Sequence, residues 1–142
     1  MTTNTDRDSP LPTQGLIDTS LFIATESDRP LKEELLPDEL LVSAITYAEL
    51  YAGVLAADKV DIRAQRLATL QSIAGLELLP VDRHIGEIWA QLRISLRNKK
   101  RRVNVNDLWI ASTALAHNLT LYTQDNDFAP IAEISSLDVV IV

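Results

Sequence analysis

Four acidic residues stand at positions from which their carboxylates could act together. Asp18 ends an apolar run in LIDTS, and Asp125 follows another in LYTQDNDF. Glu49 and Asp107 each fall in the first turn of a predicted helix that adjoins a predicted strand. In parallel α/β sheets, ligands bind beyond the carboxyl ends of the strands. We therefore expect these four side chains to line one pocket, with Asp127 as a candidate fifth.

Clustered carboxylates of this kind indicate a metal site. They repel one another, and each raises the pKa of its neighbours unless a cation compensates. Mg²⁺ or Mn²⁺ would compensate, because both prefer carboxylate oxygens, keep several waters and bind substrate phosphates. Such an ion lowers the pKa of a bound water and stabilises charge on the leaving oxygen of a phosphodiester. The pattern predicts metal-dependent phosphodiester hydrolysis without a nucleophile from the protein.

Each carboxylate also has a purely structural interpretation. Glu49 and Asp107 suit the positive end of a helix dipole, and the acids of TQDNDF suit a turn. Asp18 is harder to explain in this way, because a charge that ends a buried strand is uncommon without a partner. The predicted site therefore depends on the convergence of several positions rather than on any single one.

The composition describes one acidic domain. The chain has 142 residues, 46% of them apolar, and its 20 acidic and 13 basic side chains give a net charge of -7. The absence of cysteine from the sequence excludes disulfides, thiolate zinc sites and cysteine catalysis, and it fits a reducing compartment. No apolar run reaches the roughly 20 residues needed to span a bilayer, so we expect a cytoplasmic protein.

Short apolar strands that alternate with amphipathic segments predict a three-layer α/β/α fold with a mostly parallel sheet. Residues 1–14 are polar and lack periodicity, which predicts a disordered leader before a domain at 15–142. A capping box of Thr46 and Glu49 is expected to begin the first helix. The predicted strands cover 16–18, 40–43, 76–81, 119–123 and 139–142. The predicted helices cover 46–57, 58–74, 82–97, 106–117 and 127–134.

A dense basic run leads towards Asp107. Six of the thirteen basic residues fall within positions 93–102, and they could hold the phosphates of a nucleic acid beside the acidic pocket. A solvated charge cluster is the alternative. On a continuous helix, Arg93, Arg97 and Arg101 would share one face. Thr19, Ser20 and Thr123 would either steady the carboxylates or touch the scissile phosphate. The candidate substrate-binding residues are Thr19, Thr123, Arg97, Lys99, Lys100, Arg101 and Arg102.

Five larger apolar side chains have two interpretations. Core packing is the expectation for most of them, and a groove for a partner helix or a second subunit is the alternative. They are Trp89, Leu92, Leu96, Tyr47 and Tyr51.

Four segments together resemble the PIN-domain ribonucleases, and within them the VapC-type toxins of toxin-antitoxin operons. The resemblance covers about residues 15–142, with the motifs in the family's order. Trp109 departs from it mildly, since a smaller aliphatic residue is more usual there. The segments are LIDTS at 16–20, SAITYAEL at 43–50, DLWIASTA at 107–114, and TQD at 123–125 followed by Phe128.

This resemblance implies a five-stranded parallel sheet in which the first and fourth strands are neighbours, so that Asp18 faces Asp125. It also implies Mg²⁺-dependent endonucleolytic cleavage of RNA, restrained by a cognate VapB-like antitoxin. Homodimers are common among similar proteins. By similarity, Asp18 and Asp107 are the surest metal ligands and catalytic residues, and Glu49 and Asp125 complete the set.

Two other functional classes remain open. The D-T-S after an apolar strand is also found in aspartic proteases, but that chemistry needs an all-β chain, which the helical segments contradict. A non-catalytic PIN-like module could bind RNA or protein through the same surface. An intact acidic set argues against such a module, because mutually repelling carboxylates are costly to keep without a use.

Overall fold

Five parallel strands form one sheet in a computed structural model that describes residue 11 and residues 13–142. The strand order is β3-β2-β1-β4-β5, with helices flanking the sheet. This architecture confirms the predicted α/β/α class and the predicted pairing of the first and fourth strands. The strands are β1 Gln14–Ile17, β2 Glu39–Ser43, β3 Glu77–Leu79, β4 Thr120–Thr123 and β5 Val139–Ile141.

Six α-helices lie between the strands in the described part of the chain. The five predicted helices are all present, and their ends fall within two residues of the predicted ones. No helix of the described residues is long and apolar enough to cross a membrane. The helices are α1 Thr19–Glu26, α2 Ala44–Ala56, α3 Val60–Ser72, α4 Arg83–Asn98, α5 Val105–Ala116 and α6 Ala129–Ile134, with a 3₁₀ turn at Glu33–Leu35.

Two helix starts differ from the sequence prediction. Helix α1 was not predicted; it begins directly after Asp18, whose carboxylate accepts a hydrogen bond from the backbone N–H of Ser20 at 3.3 Å. Helix α2 begins after Ser43, whose hydroxyl accepts from the N–H of Thr46 at 3.1 Å. The predicted Thr46–Glu49 capping box is therefore wrong. As a result, Glu49 has no capping role and can serve a site.

The start of the domain also lies slightly earlier than expected. Residues 1–10 and 12 of the predicted leader lie outside the described residues. Gln14 opens β1, and the N–H of Thr13 donates to the carboxylate of Asp38 at 2.9 Å. The ordered domain thus includes Thr13 and Gln14, which we had placed in the leader.

Leu92 and Leu96 are buried under the sheet, as predicted. The indole of Trp89 stacks on that of Trp109 with a centroid distance of 4.8 Å, so the unusual Trp109 packs α5 against α4. Tyr47 and Tyr51 stack on each other at 6.2 Å but remain 41% and 45% exposed. The core interpretation is therefore wrong for the two tyrosines.

Gly15 allows the sheet to pack tightly next to Asp18. A Cβ atom at this position would overlap the ring of Tyr122 and lie 2.8 Å from Cγ of Pro37. We expect Gly15→Ala to lower the free energy of unfolding by about 1–3 kcal/mol, because both neighbours must shift. Urea denaturation would measure this loss.

Gly86→Ala is the matched control, because nothing lies within 4 Å of a Cβ built at Gly86. It replaces a glycine within α4, so it should raise the free energy of unfolding by about 0.5–1 kcal/mol. Equal stability of the two variants would contradict the tight contact at Gly15.

Candidate active site

Asp18 lies at the carboxyl end of β1 and is only 4% exposed. Its backbone N–H donates to the carbonyl of Tyr122 at 2.9 Å, which ties it to β4. Its Oδ2 accepts from the Thr123 hydroxyl at 3.0 Å and from the N–H of Ser20. Burial raises the pKa of Asp18, the Ser20 and Thr123 hydrogen bonds oppose that rise, and the charge of Asp125 adds to it. Because both bonds go to Oδ2, Oδ1 is the oxygen left to hold a ligand.

A hydroxyl cluster joins Asp18 to Asp125 across the two central strands. The Thr123 hydroxyl lies 3.2 Å from that of Ser20 and 3.5 Å from Oδ1 of Asp125. Ser20 in turn accepts from the N–H of Gln124 at 3.0 Å. The resemblance implied that Asp18 faces Asp125, and these contacts bring the two together.

Glu49 projects from α2 to a point where three helices meet. Its Oε1 accepts from the Thr19 hydroxyl of α1 at 2.7 Å, and its Oε2 accepts from the Asn106 side chain of α5 at 3.4 Å. The Thr46 hydroxyl lies 2.9 Å from that of Thr19. The sequence analysis named Thr46 only as a helix cap and did not name Asn106. Thr46 lies within the matched segment SAITYAEL, and Asn106 directly precedes Asp107.

Asp107 occupies the first turn of α5, after the N-cap residue Asn104. The Asn104 side chain accepts from the N–H of Asn106 at 2.8 Å and from that of Asp107 at 3.4 Å. Burial is the largest cause that raises the pKa of Asp107 to about 7. Four neighbouring carboxylates raise it further: Asp18, Asp127, Asp125 and Glu49.

The four other acidic side chains predicted from the sequence therefore all act on Asp107 at one edge of the sheet. Asp127 is exposed, and its N–H donates to Oδ1 of Asp125 at 3.2 Å, which holds the turn that carries both. The one ion pair within the described residues joins Arg101 to Glu133 at 2.8 Å, so it does not neutralise this group. The acidic edge is a concentration of charge without a cationic partner in the described chain.

The donor set fits a hard divalent ion. Among the residues that the structure describes, no three acidic or histidine side chains converge closely enough to enclose an ion. Mg²⁺ does not need such an enclosure, because it keeps several waters and is commonly held by one or two carboxylates together with substrate phosphates. The repulsion that raises the pKa of Asp107 is what such an ion would relieve.

The two site threonines are placed to hold carboxylates in position. Thr123 is fully buried and Thr19 is 7% exposed, and the hydroxyls of both face carboxylates. Of the two roles considered for them, this burial favours steadying Asp18 and Glu49 over contact with a phosphate.

The basic run leaves helix α4 within one residue of the predicted helix end. Helix α4 ends at Asn98, Lys100 has a left-handed φ of 54°, and the N–H of Arg101 donates back to the carbonyl of Leu96 at 2.9 Å. Arg101 therefore does not share a helical face with Arg93 and Arg97, as it would on a continuous helix. It pairs instead with Glu133 of α6.

Most of the basic run borders a cavity of about 620 Å³, here called the basic groove. The groove includes Arg93 but not Lys99. An adjoining cavity of about 350 Å³ shares Arg102 and Val103 with it and reaches Asp107 and Asp127. The basic groove is lined by Arg93, Leu96, Arg97, Lys100, Arg101, Arg102 and Val103.

A five-stranded parallel sheet with clustered carboxylates at the carboxyl ends of its central strands defines a structural class of protein. Comparison with known proteins identifies that class. The family model described as PIN domain matches residues 15–134. The chain is 52% identical to Ribonuclease VapC5 of Mycobacterium tuberculosis over 132 residues, which cover 93% of this chain and 98% of the relative. It is 40% identical to Ribonuclease VapC4 of the same organism, over 89% of this chain and 97% of the relative.

A solved structure agrees with these matches. The crystal structure of a member of the VapBC family of toxin-antitoxin systems, VapBC-5 from Mycobacterium tuberculosis, superposes with a TM-score of 0.85 at 49% identity. The match covers 92% of this chain and all of that one. The chain therefore belongs to the PIN-domain family and, within it, to the VapC-type toxins.

Proposed function

We propose that this protein is a Mg²⁺-dependent endoribonuclease, with Mn²⁺ as a substitute, that acts as the toxin of a toxin-antitoxin pair. The observation that carries the proposal is the gathering of four carboxylates around the half-buried Asp107 at one edge of the sheet, with no cation paired to them in the described residues. Such a group is destabilising in isolation and becomes favourable when it holds a divalent ion. The names of the relatives, which are ribonucleases, support RNA as the substrate.

In this proposal the carboxylates have separate tasks. Asp18, Asp107 and Asp125 would position the ion, directly or through metal-bound water, and Glu49 would either ligate the metal or orient the attacking water. A bound divalent ion would activate a water and stabilise the charge that develops on the leaving oxygen of the phosphodiester. Thr123 fixes the rotamer of Asp18 by bonding its Oδ2, and Thr19 fixes that of Glu49. These contacts keep the ligand oxygens in place before the substrate arrives.

The basic side chains would hold RNA on the approach to this centre. The net charge of -7 opposes binding of a polyanion, so a local positive surface is needed. Within the originally predicted set, Arg97, Lys100 and Arg102 line the basic groove, whereas Lys99 does not.

We further propose a cognate VapB-like antitoxin as the protein partner, in the cytoplasm. The superposed structure is described as a toxin-antitoxin system, which supports this partner. A homodimer stays a prediction; the exposed stack of Tyr47 and Tyr51 on α2 is a surface on which it could be tested.

Chelation is the direct test of metal-dependent cleavage. We expect the purified protein to cut single-stranded RNA in the presence of Mg²⁺ or Mn²⁺, to stop on addition of EDTA, and to resume when excess Mn²⁺ is restored. The products would be followed on denaturing gels. Cleavage that continues unchanged in EDTA would refute the proposal.

The same experiment separates the alternatives. RNA that is bound but never cut under any metal condition would indicate the non-catalytic PIN-like module. The aspartic protease is already excluded by the parallel α/β sheet, which lacks the all-β architecture that this chemistry requires.

A further inference from the structure

Lys100 has a backbone conformation that is unfavourable for a lysine. Its φ of 54° lies in the left-handed region, which glycine usually occupies at the end of a helix. Among the described residues, the other non-glycine positions with positive φ are Asp28 and Asn118, two residue types that tolerate this region. A lysine at such a position has backbone strain that a glycine would avoid, which points to a task for its side chain.

The helix end directs this side chain into the basic groove. The N–H of Lys100 donates to the carbonyl of Arg97 at 3.0 Å, and the N–H of Arg101 donates to that of Leu96 at 2.9 Å. The chain thereby turns so that Lys100 lines the groove while its neighbour Lys99 does not. Leu96, which is 2% exposed, belongs to the same lining and to the hydrophobic core, so the groove rests on a rigid element.

The positive charges of the groove are not equivalent. Arg101 is paired with Glu133, so its charge is partly neutralised. Arg93, Arg97, Lys100 and Arg102 make no ion pair with an acid of the described chain. These four can therefore bind an external anion without first breaking an internal contact.

The groove continues to the acidic edge. Arg102 and Val103 line both the basic groove and the cavity that reaches Asp107. An anionic polymer that follows this path would place one anionic group beside the carboxylates, where a divalent ion is needed, and the next groups beside Arg102 and Lys100. RNA suits this path better than an acidic peptide, because a phosphodiester is the group that the proposed metal centre acts on.

We infer that Lys100 is a dedicated phosphate-binding residue, and that the RNA backbone on one side of the scissile bond runs along the basic groove past Arg102 and Lys100. Lys99, one residue away and equally charged, lies outside this path. The inference rests on the proposed function, because RNA is taken as the substrate.

The test measures RNA binding in EDTA, so that it does not depend on cleavage. A fluorescent single-stranded RNA of mixed sequence is titrated with the full-length protein by anisotropy, at salt concentrations from about 50 to about 200 mM. The variants are Lys100→Gly, Lys100→Arg and the matched control Lys99→Gly. Thermal unfolding is measured on the same samples.

We expect Lys100→Gly to weaken RNA binding by at least about threefold at low salt and to reduce the slope of log affinity against log salt by about 0.7. Its unfolding midpoint should rise by about 1–3 °C, because glycine relieves the left-handed strain. Lys100→Arg should retain the affinity. The loss in log affinity for RNA should be less than half as large in Lys99→Gly as in Lys100→Gly.

Two results would overturn the inference. Equal losses in Lys99→Gly and Lys100→Gly would indicate a diffuse charge effect with no defined path. Unchanged RNA affinity in Lys100→Gly would show that RNA does not bind along the groove. Weaker binding of a labelled poly-glutamate peptide by the same variant would not alter that conclusion. Neither result bears on whether RNA is cut with Mg²⁺, so failure of the groove and failure of the nuclease proposal are distinguishable.

Discussion

Replacing Asp18 with asparagine is expected to reduce RNA cleavage by at least about 100-fold while the fold survives. The asparagine carbonyl can accept the same bonds from Thr123 and Ser20 that Oδ2 accepts now. The amide nitrogen would then replace Oδ1, so a donor would point to where an ion needs an oxygen. The measurement is the initial cleavage rate in Mg²⁺, with circular dichroism to check the fold.

Asp58→Asn provides the matched control, because Asp58 is an exposed aspartate in the loop between α2 and α3. It makes the same change of charge and of side-chain chemistry away from the acidic edge, and it should cleave at the parental rate. A folded Asp18→Asn protein that also cleaves at the parental rate would remove Asp18 from the mechanism.

Replacing Asp107 with asparagine should change stability and metal binding in opposite directions. The pKa of Asp107 rises from 3.8 to about 7 in the folded protein, so the folded state disfavours the ionised carboxylate. Between these two values the folded state binds more protons than the unfolded one, and the free energy of unfolding therefore falls as the pH rises. The stabilising effect of protonation is present below pH about 4 and is lost above pH about 7.

Without metal, we expect Asp107→Asn to be more stable than the parent at pH about 8, by about 1–2 kcal/mol once solvent screening of this half-buried group is allowed for. At pH about 4 the two proteins should unfold at similar urea concentrations. Urea denaturation in EDTA at both pH values would measure the difference, again with Asp58→Asn as the control.

Mn²⁺ should reverse the order at pH about 8, because an ion that binds only the folded state stabilises it. The parent should gain more than Asp107→Asn, whose affinity for the ion we expect to be lower by about 10–100-fold. An Asp107→Asn protein that is less stable than the parent in EDTA at pH about 8 would contradict the charge repulsion inferred from the structure.

The parts of the fold that were predicted well from the sequence are those with a clear pattern of apolar residues. The five strands are short and apolar because both faces of the sheet are covered, and α4 and α5 each bury an apolar stripe against it. Helix α1 was missed because TSLFIATE has no polar face. Its start is nevertheless visible in retrospect, since Asp18 is followed by Thr19 and Ser20 and caps the helix itself.

Competing local patterns account for the remaining errors. Ser43 and Thr46 both had the spacing of a helix cap, and only the end of β2 at Ser43 decides between them. The sequence left open whether Arg101 continues the helical basic face, because it does not reveal that Lys100 adopts a left-handed conformation. The ion pair of Arg101 with Glu133 depends on where α6 packs, which is a tertiary property that spacing cannot supply.

The acidic residues themselves were found from chain position and resemblance, whereas the groups that hold them were found less completely. Thr19 and Thr123 were named without a settled role, Thr46 was named only as a helix cap, and Asn104 and Asn106 were not named at all. Hydroxyl and amide side chains carry weak sequence signals, because the same residues serve turns and caps throughout proteins.

The bond between Thr123 and Asp18 joins residues that are 105 positions apart. A polypeptide that is still being synthesised carries Asp18, Glu49 and Asp107 long before it carries the strand that orients the first of them. Every fragment that stops short of β4 lacks both Thr123 and Asp125, and with them the neighbour that pairs with β1 on that side. Assembly of the acidic centre is thus a late event in the life of each new molecule, which delays its reactivity until nearly the whole domain is available to fold.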